Sequence, residues 1–145
     1  CNATMRYSGD GQSLYVVLES PQALNSGAAS ALAGIYVSRN RGDVDAILYV
    51  ANWPEARRFP WSQLLIARAI ENQCCVVGVN RVGMDGKGHH YSGDSVLIDP
   101  RGQCIASVAP SQEGAVTGVC EGDALLDFRA KFPVALEADA FELKL

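Results

Sequence analysis

The stretch from Asp45 to Asn80 constrains this chain more than any other. "DAILYVAN", Asp45 to Asn52, and "CCVVGVN", Cys74 to Asn80, are short, nearly continuous apolar runs. The first is bounded by Asp43 and by Trp53-Pro54. Runs of this length and character read as strands buried on both faces. Between them Trp61, Leu64, Leu65 and Ala69 recur at helical spacing, Pro60 suits a first helical turn, and Glu71 and Asn72 lie near the end. Strand, helix and strand with short links predict a βαβ-like unit.

The flanking segments use a different grammar. "LYVVLE", Leu14 to Glu19, is β-favoured and stopped by Pro21. Gln22 to Gly34 is Ala-rich without a clean apolar stripe, which fits either a weakly anchored helix or an irregular segment. After the βαβ unit, "DSVLIDPRGQCIASV" reads as two strands around the turn Asp99-Pro100-Arg101-Gly102. "AVTGVC" adds a strand, and "DALLDFRAKF" is an amphipathic helix with Leu125, Leu126 and Phe128 on its apolar side. A βαβ unit followed by a meander predicts an α/β fold with α+β-like order and a mixed sheet. The 145 residues have the length of one domain, 1–145, and show no internal repeat.

Composition narrows the function classes. The formal charge of -4, with scattered basic residues, argues against a nucleic-acid partner. No apolar run approaches the roughly 18 residues that span a bilayer, so no membrane partner is expected, and a cytoplasmic location fits. The five cysteines are Cys1, Cys74, Cys75, Cys104 and Cys120, an odd number, with three inside apolar runs, which suits a reducing compartment. Neither CxxC nor His-x-x-x-His spacing occurs, so no metal or other cofactor is expected.

Several phrases go beyond fold class. "LYVANWPEARRFPWSQLLIARAIENQ", "VVGVNRVGMDGKG", "YSGDSVLIDPRGQCIA" and "FRAKFPVALEADAFEL" resemble, in one order from about Ser38 to Leu143, consecutive blocks of the nitrilase superfamily, specifically its omega-amidase-like carbon-nitrogen hydrolases. The resemblance implies the C-terminal part of a four-layer α-β-β-α sandwich, assembled as a homo-oligomer, usually a homodimer, through one helical layer. It also implies amide hydrolysis of small acids. A Cys thiolate attacks the amide carbon, a Glu moves protons, and a Lys helps hold the oxyanion.

Residue by residue, that triad is not carried over. In the family the nucleophile opens a block resembling Cys-Tyr-Asp-Leu-Arg-Phe-Pro ahead of Trp-Ser-Arg-Asn. Ungapped counting back from Ser38-Arg39-Asn40 puts Ala29 at the Cys position. "MRYSGD", Met5 to Asp10, resembles the block that follows the catalytic Lys, and puts Cys1 at the Lys position; no Lys precedes Lys87. The Glu belongs to a family segment this chain does not contain. The expectation is a carbon-nitrogen hydrolase family protein with impaired catalysis, or a binding or assembly module derived from an amidase, whose ligand would be a small amide or carboxylate.

The remaining candidates each carry an ordinary structural alternative. Asn52, Trp53 and Pro54 end a buried strand where α/β sheets place ligand crevices, and the resemblance puts them beside the substrate pocket. They also suit a strand-to-helix turn in which Asn caps backbone and Trp packs. Ser95 belongs to a strand near the family's site and suits a hydrogen-bonding role; no Gly-x-Ser-x-Gly elbow surrounds it. Arg68 and Glu71 have the spacing of an intrahelical ion pair rather than of a base. Cys74 or Cys75 with His89 or His90 would make an improvised Cys-His pair, but strand alternation sends the two thiols to opposite faces. Gly83, Gly86 and Gly88 lack the GK[ST] ending of a phosphate loop and suit a hairpin-like excursion.

Overall fold

The structure, a computed structural model, describes residues 2–7, 13–20, 33–37 and 44–137. In chain order its elements are β1 (Asn2–Tyr7), β2 (Ser13–Ser20), β3 (Ala33–Val37), β4 (Ala46–Ala51), a 3-10 turn (Glu55–Arg57), α1 (Arg58–Asn72), β5 (Cys75–Asn80), β6 (Val82–Met84) and β7 (His90–Ser92). These are followed by β8 (Val96–Ile98), β9 (Cys104–Ser107), β10 (Gly114–Glu121), α2 (Gly122–Lys131) and a second 3-10 turn (Val134–Glu137).

The strands form two principal sheets. One has the order β3-β4-β5-β8-β9, with β4 and β5 parallel and the other pairs antiparallel. This is the expected mixed sheet, and the parallel pair is the expected βαβ unit. The other is antiparallel, in the order β1-β2-β10. The β6-β7 hairpin stands apart.

Alternation along β4 and β5 explains the layers. Ala46, Leu48, Cys75, Val77 and Val79 join Leu97 and Cys120 in an apolar cluster between the two sheets. Ile47, Ala51 and Val76 point the other way and join Cys74, Ile98, Trp61, Leu65 and Ala69 under α1. A strand apolar on both faces needs a layer on each, and here α1 and the three-stranded sheet supply them. The result is helix, five-stranded sheet and three-stranded sheet, in that order.

Two sequence expectations change in detail. Leu64, at helical spacing with the core residues, is 46% exposed, because the buried arc of α1 is the narrow i, i+4, i+8 stripe Trp61, Leu65, Ala69. Leu126 is likewise 47% exposed, whereas Leu125 is buried and Phe128 half-buried. The Gln22 to Gly34 segment falls outside the described residues except for Ala33 and Gly34, which open β3.

Arg129 ties α2 back to the start of the βαβ unit. Its Nε donates to the Gln73 carbonyl (2.9 Å), one Nη to the Val44 carbonyl (2.6 Å), and the other reaches Asp45 Oδ1 at 3.3 Å. Gln73, the left-handed residue that ends α1 (φ 45°), also donates its side-chain amide to the Phe132 carbonyl at 2.7 Å. Backbone carbonyls left over where a helix and strands begin or end are thereby satisfied by one guanidinium.

Candidate active site

Asn52, Trp53 and Pro54 leave β4 at its C-terminal end, half-buried, and turn into the 3-10 segment that leads to α1. What holds this corner is Asn80, the last residue of the neighbouring strand β5. Its side chain accepts from the Trp53 N–H (2.8 Å) and donates to the Trp53 carbonyl (2.9 Å), so one amide pairs both main-chain groups of Trp53. Asn80 is only 1% exposed, and an amide buried that deeply is stable only when its donors and acceptors are engaged. Ser95, fully buried and, rather than lying within a strand as expected, immediately preceding β8, closes the arrangement. Its Oγ accepts from the Asn80 N–H (3.0 Å) and donates to the Asn80 carbonyl (3.2 Å).

A second set of contacts braces the corner from the helix side. Trp53 Nε1 donates to the Arg57 carbonyl (2.6 Å), and Trp61 Nε1 to the Asp94 carbonyl (3.1 Å). The two indoles stack with centroids 5.8 Å apart and planes tilted by 38°. Asp94 receives Arg58 on one carboxylate oxygen (2.7 Å) and the Ser92 hydroxyl on the other (2.6 Å). Its backbone is left-handed (φ 55°) directly after Gly93 (φ 72°), where a Cβ would lie 2.5 Å from Val82 Cγ1. The turn therefore requires glycine at 93 and a residue tolerant of the left-handed region at 94.

The structure thus links Trp53 and Ser95 through Asn80, a residue the sequence reading did not single out. The available signal was an amide ending a fully apolar strand, where burial demands a partner. Ala29 and Cys1 lie outside the described residues.

The thiols divide as alternation requires. Cys74 faces α1 and Cys75 faces the other sheet. Burial pushes the Cys74 thiol up to about 12, and Cys75 is raised by its hydrogen bond with Cys120 and then by burial. Neither is a thiolate at neutral pH, so neither suits nucleophilic attack. His89 and His90 are exposed on the β6-β7 hairpin, away from these buried clusters. The hairpin turn is organised by Asp85, whose carboxylate accepts from the Lys87 and His89 amides and the Tyr91 hydroxyl. These bonds, that of the His89 amide foremost, hold it down at about 2. Glu71 pairs with Arg68 on the exposed side of α1. Among the described residues no three His, Cys, Asp or Glu side chains come together as a metal site, and no helix is long and apolar enough to cross a membrane.

Residues 33–124 match the sequence profile of the carbon-nitrogen hydrolases. Omega-amidase YafV of Escherichia coli K12 is 50% identical over 106 residues, 73% of this chain and 41% of that protein. The 2-oxoglutaramate amidase of Bacillus subtilis is 37% identical over 89 residues, 61% of this chain and 34% of that protein. Among solved structures, XC1258 of Xanthomonas campestris, a CN-hydrolase superfamily protein with an arsenic adduct in its active site, aligns with a TM-score of 0.66 and 50% identity. That alignment covers 70% of this chain and 38% of that one. The chain therefore spans about two fifths of the length of these relatives. A match over 33–124, the span that includes the Trp53–Asn80–Ser95 corner, shows that the chain belongs to the carbon-nitrogen hydrolase family, alongside its omega-amidase-like members.

Proposed function

We propose that this chain is an omega-amidase-type scaffold with impaired hydrolysis, retained to bind small amides or carboxylates. The observation that carries the proposal is the sequence spacing: ungapped counting back from Ser38 puts Ala29, and no cysteine, where the family's nucleophile is expected. In the family reaction the thiolate sulfur bonds to the amide carbon, ammonia leaves with a proton from the general acid, and water then cleaves the thioester. Alanine offers no lone pair for the first step, and the raised Cys74 and Cys75 thiols do not replace it. The same counting puts Cys1 where the Lys is expected, which would leave the oxyanion without that cation. Losing a covalent nucleophile alone costs around a millionfold in rate.

The test is intact mass after incubation with the monoamide of a small dicarboxylic acid, alongside an assay for released ammonia. The expected result is unmodified protein and ammonia release no faster than in a buffer control. A stoichiometric acyl adduct on any cysteine would overturn the proposal.

The scaffold is also proposed to self-associate through α1. Away from the core stripe it carries two large exposed apolar side chains, Phe59 (75% exposed) and Ile70 (50%), which a partner helix would cover. Sedimentation velocity should show a concentration-dependent dimer, and Phe59→Glu should shift it to monomer. A parent chain that stays monomeric across the concentration range would rule this assembly out.

A further inference from the structure

Beside the strand-end corner, on the helix side of the five-stranded sheet, lies a cavity of about 210 Å3 lined by Tyr49, Trp53, Trp61, Leu64, Leu65 and Arg68. We infer that it binds a small aromatic monocarboxylate, with the ring against the half-buried Trp53 indole and the carboxylate on the Arg68 guanidinium.

The chemistry of the walls selects this class. Both indole N–H groups are already engaged by backbone carbonyls, of Arg57 and Asp94, so neither offers the cavity a polar group, and with Trp61 only 2% exposed the accessible ring is that of Trp53. The two tilted rings and the Leu64 and Leu65 side chains make an aromatic and aliphatic wedge. Rings of this kind favour offset or edge-to-face packing with another ring. The volume is below the range typical of drug-sized ligands, which limits the occupant to a single ring with a short substituent. Arg68 is the one charged wall. Among the described residues only its Nη1 is engaged, by Glu71, and its side chain is 46% exposed. The planar fork that remains is matched by a carboxylate, which accepts two parallel N–H bonds. Glu71 is then a competitor: it takes part of the same guanidinium that the ligand would use.

The inference rests on the reading that the fold is retained for binding rather than turnover, and the experiment separates the two. Both tryptophans of the chain line the cavity, so intrinsic fluorescence reports occupancy directly. Titration with phenylacetate should give a saturable change, and phenylacetamide, of the same shape without the charge, should bind at least about tenfold more weakly. Arg68→Gln should weaken phenylacetate binding about tenfold, and Glu71→Gln should tighten it by roughly twofold to fivefold. Both positions are exposed, so neither variant threatens the fold. The inference is overturned if phenylacetate gives no saturable change up to about 10 mM, if the amide binds equally well, or if either variant binds like the parent. Phenylacetate has no amide to hydrolyse. Binding together with an acyl adduct in the mass experiment would therefore sink the impaired-hydrolase reading and leave this site standing; failure to bind with no adduct would do the reverse.

Discussion

Asn80→Ala should lower the stability of this protein by about 3 kcal/mol, read by urea denaturation, and its melting temperature by about 10 °C. The substitution leaves the Trp53 N–H and carbonyl without the partners that now lie at 2.8 and 2.9 Å. An unpaired buried polar group costs about 1–3 kcal/mol, and two are exposed to that cost at once. The hydrogen bonds between Ser95 and the Asn80 main chain survive, so the loss is specific to the corner. Tryptophan fluorescence should shift before global unfolding, because Trp53 stacks on Trp61. Asn80→Asp separates pairing from volume. Its carboxylate still accepts from the Trp53 N–H but cannot donate to the Trp53 carbonyl, and burial disfavours its charge. An acid whose folded pKa is raised is destabilising above its unfolded pKa and recovers as pH falls and the carboxyl gains a donor proton. The Asp variant should therefore approach wild-type stability on acidification, whereas the Ala variant should show no such recovery. A loss under about 1 kcal/mol in Asn80→Ala would mean that the amide does not hold the corner.

That prediction also marks where sequence reading stops. The apolar runs at 45–52 and 74–80 and the helical spacing between them are local patterns, and the fold follows them closely: β4, α1 and β5 form a parallel unit with core on both faces. The hairpin around Asp99–Gly102 is equally local, since Asp99 Oδ1 receives the Arg101 and Gln103 amides at 2.9 and 2.7 Å. The corner is different. Its contacts join residues 27 and 15 positions apart through side-chain amide and hydroxyl bonds, and no periodicity encodes them. Asn52, Trp53 and Pro54 could be located as a strand end; that Asn80 holds them there needed the neighbouring strand in place. Leu64 and Leu126 fail for a related reason. Spacing assigns a residue to a helix face, but the width of the buried arc is set by what the helix packs against.

Gly78→Val should be strongly destabilising for the βαβ unit, lowering stability by roughly 3 kcal/mol, at the upper end of overpacking costs. Gly78 lies at the centre of β5 facing α1, and a Cβ there would sit 2.4 Å from Leu65 Cδ1 and 3.0 Å from Trp61 Cζ2. Strand propensity argues the opposite, since valine in place of glycine in an open strand gains up to about 1 kcal/mol. Overpacking wins because both colliding side chains are nearly fully buried, at 3% and 2% exposure, with little room to yield. A compensating pair tests that cause. Leu65→Ala alone should cost about 2–5 kcal/mol by opening a cavity. Gly78→Ala combined with Leu65→Ala should cost less than the sum of the two singles, because the new methyl fills part of the space the leucine vacated. Additive losses would refute close approach of helix and strand as the reason for glycine at this position. Since Trp61 is the other side chain in collision, the same displacement should spread the Trp53–Trp61 stack and weaken phenylacetate binding in the Gly78→Ala single variant, which joins the packing of α1 to the cavity beside it.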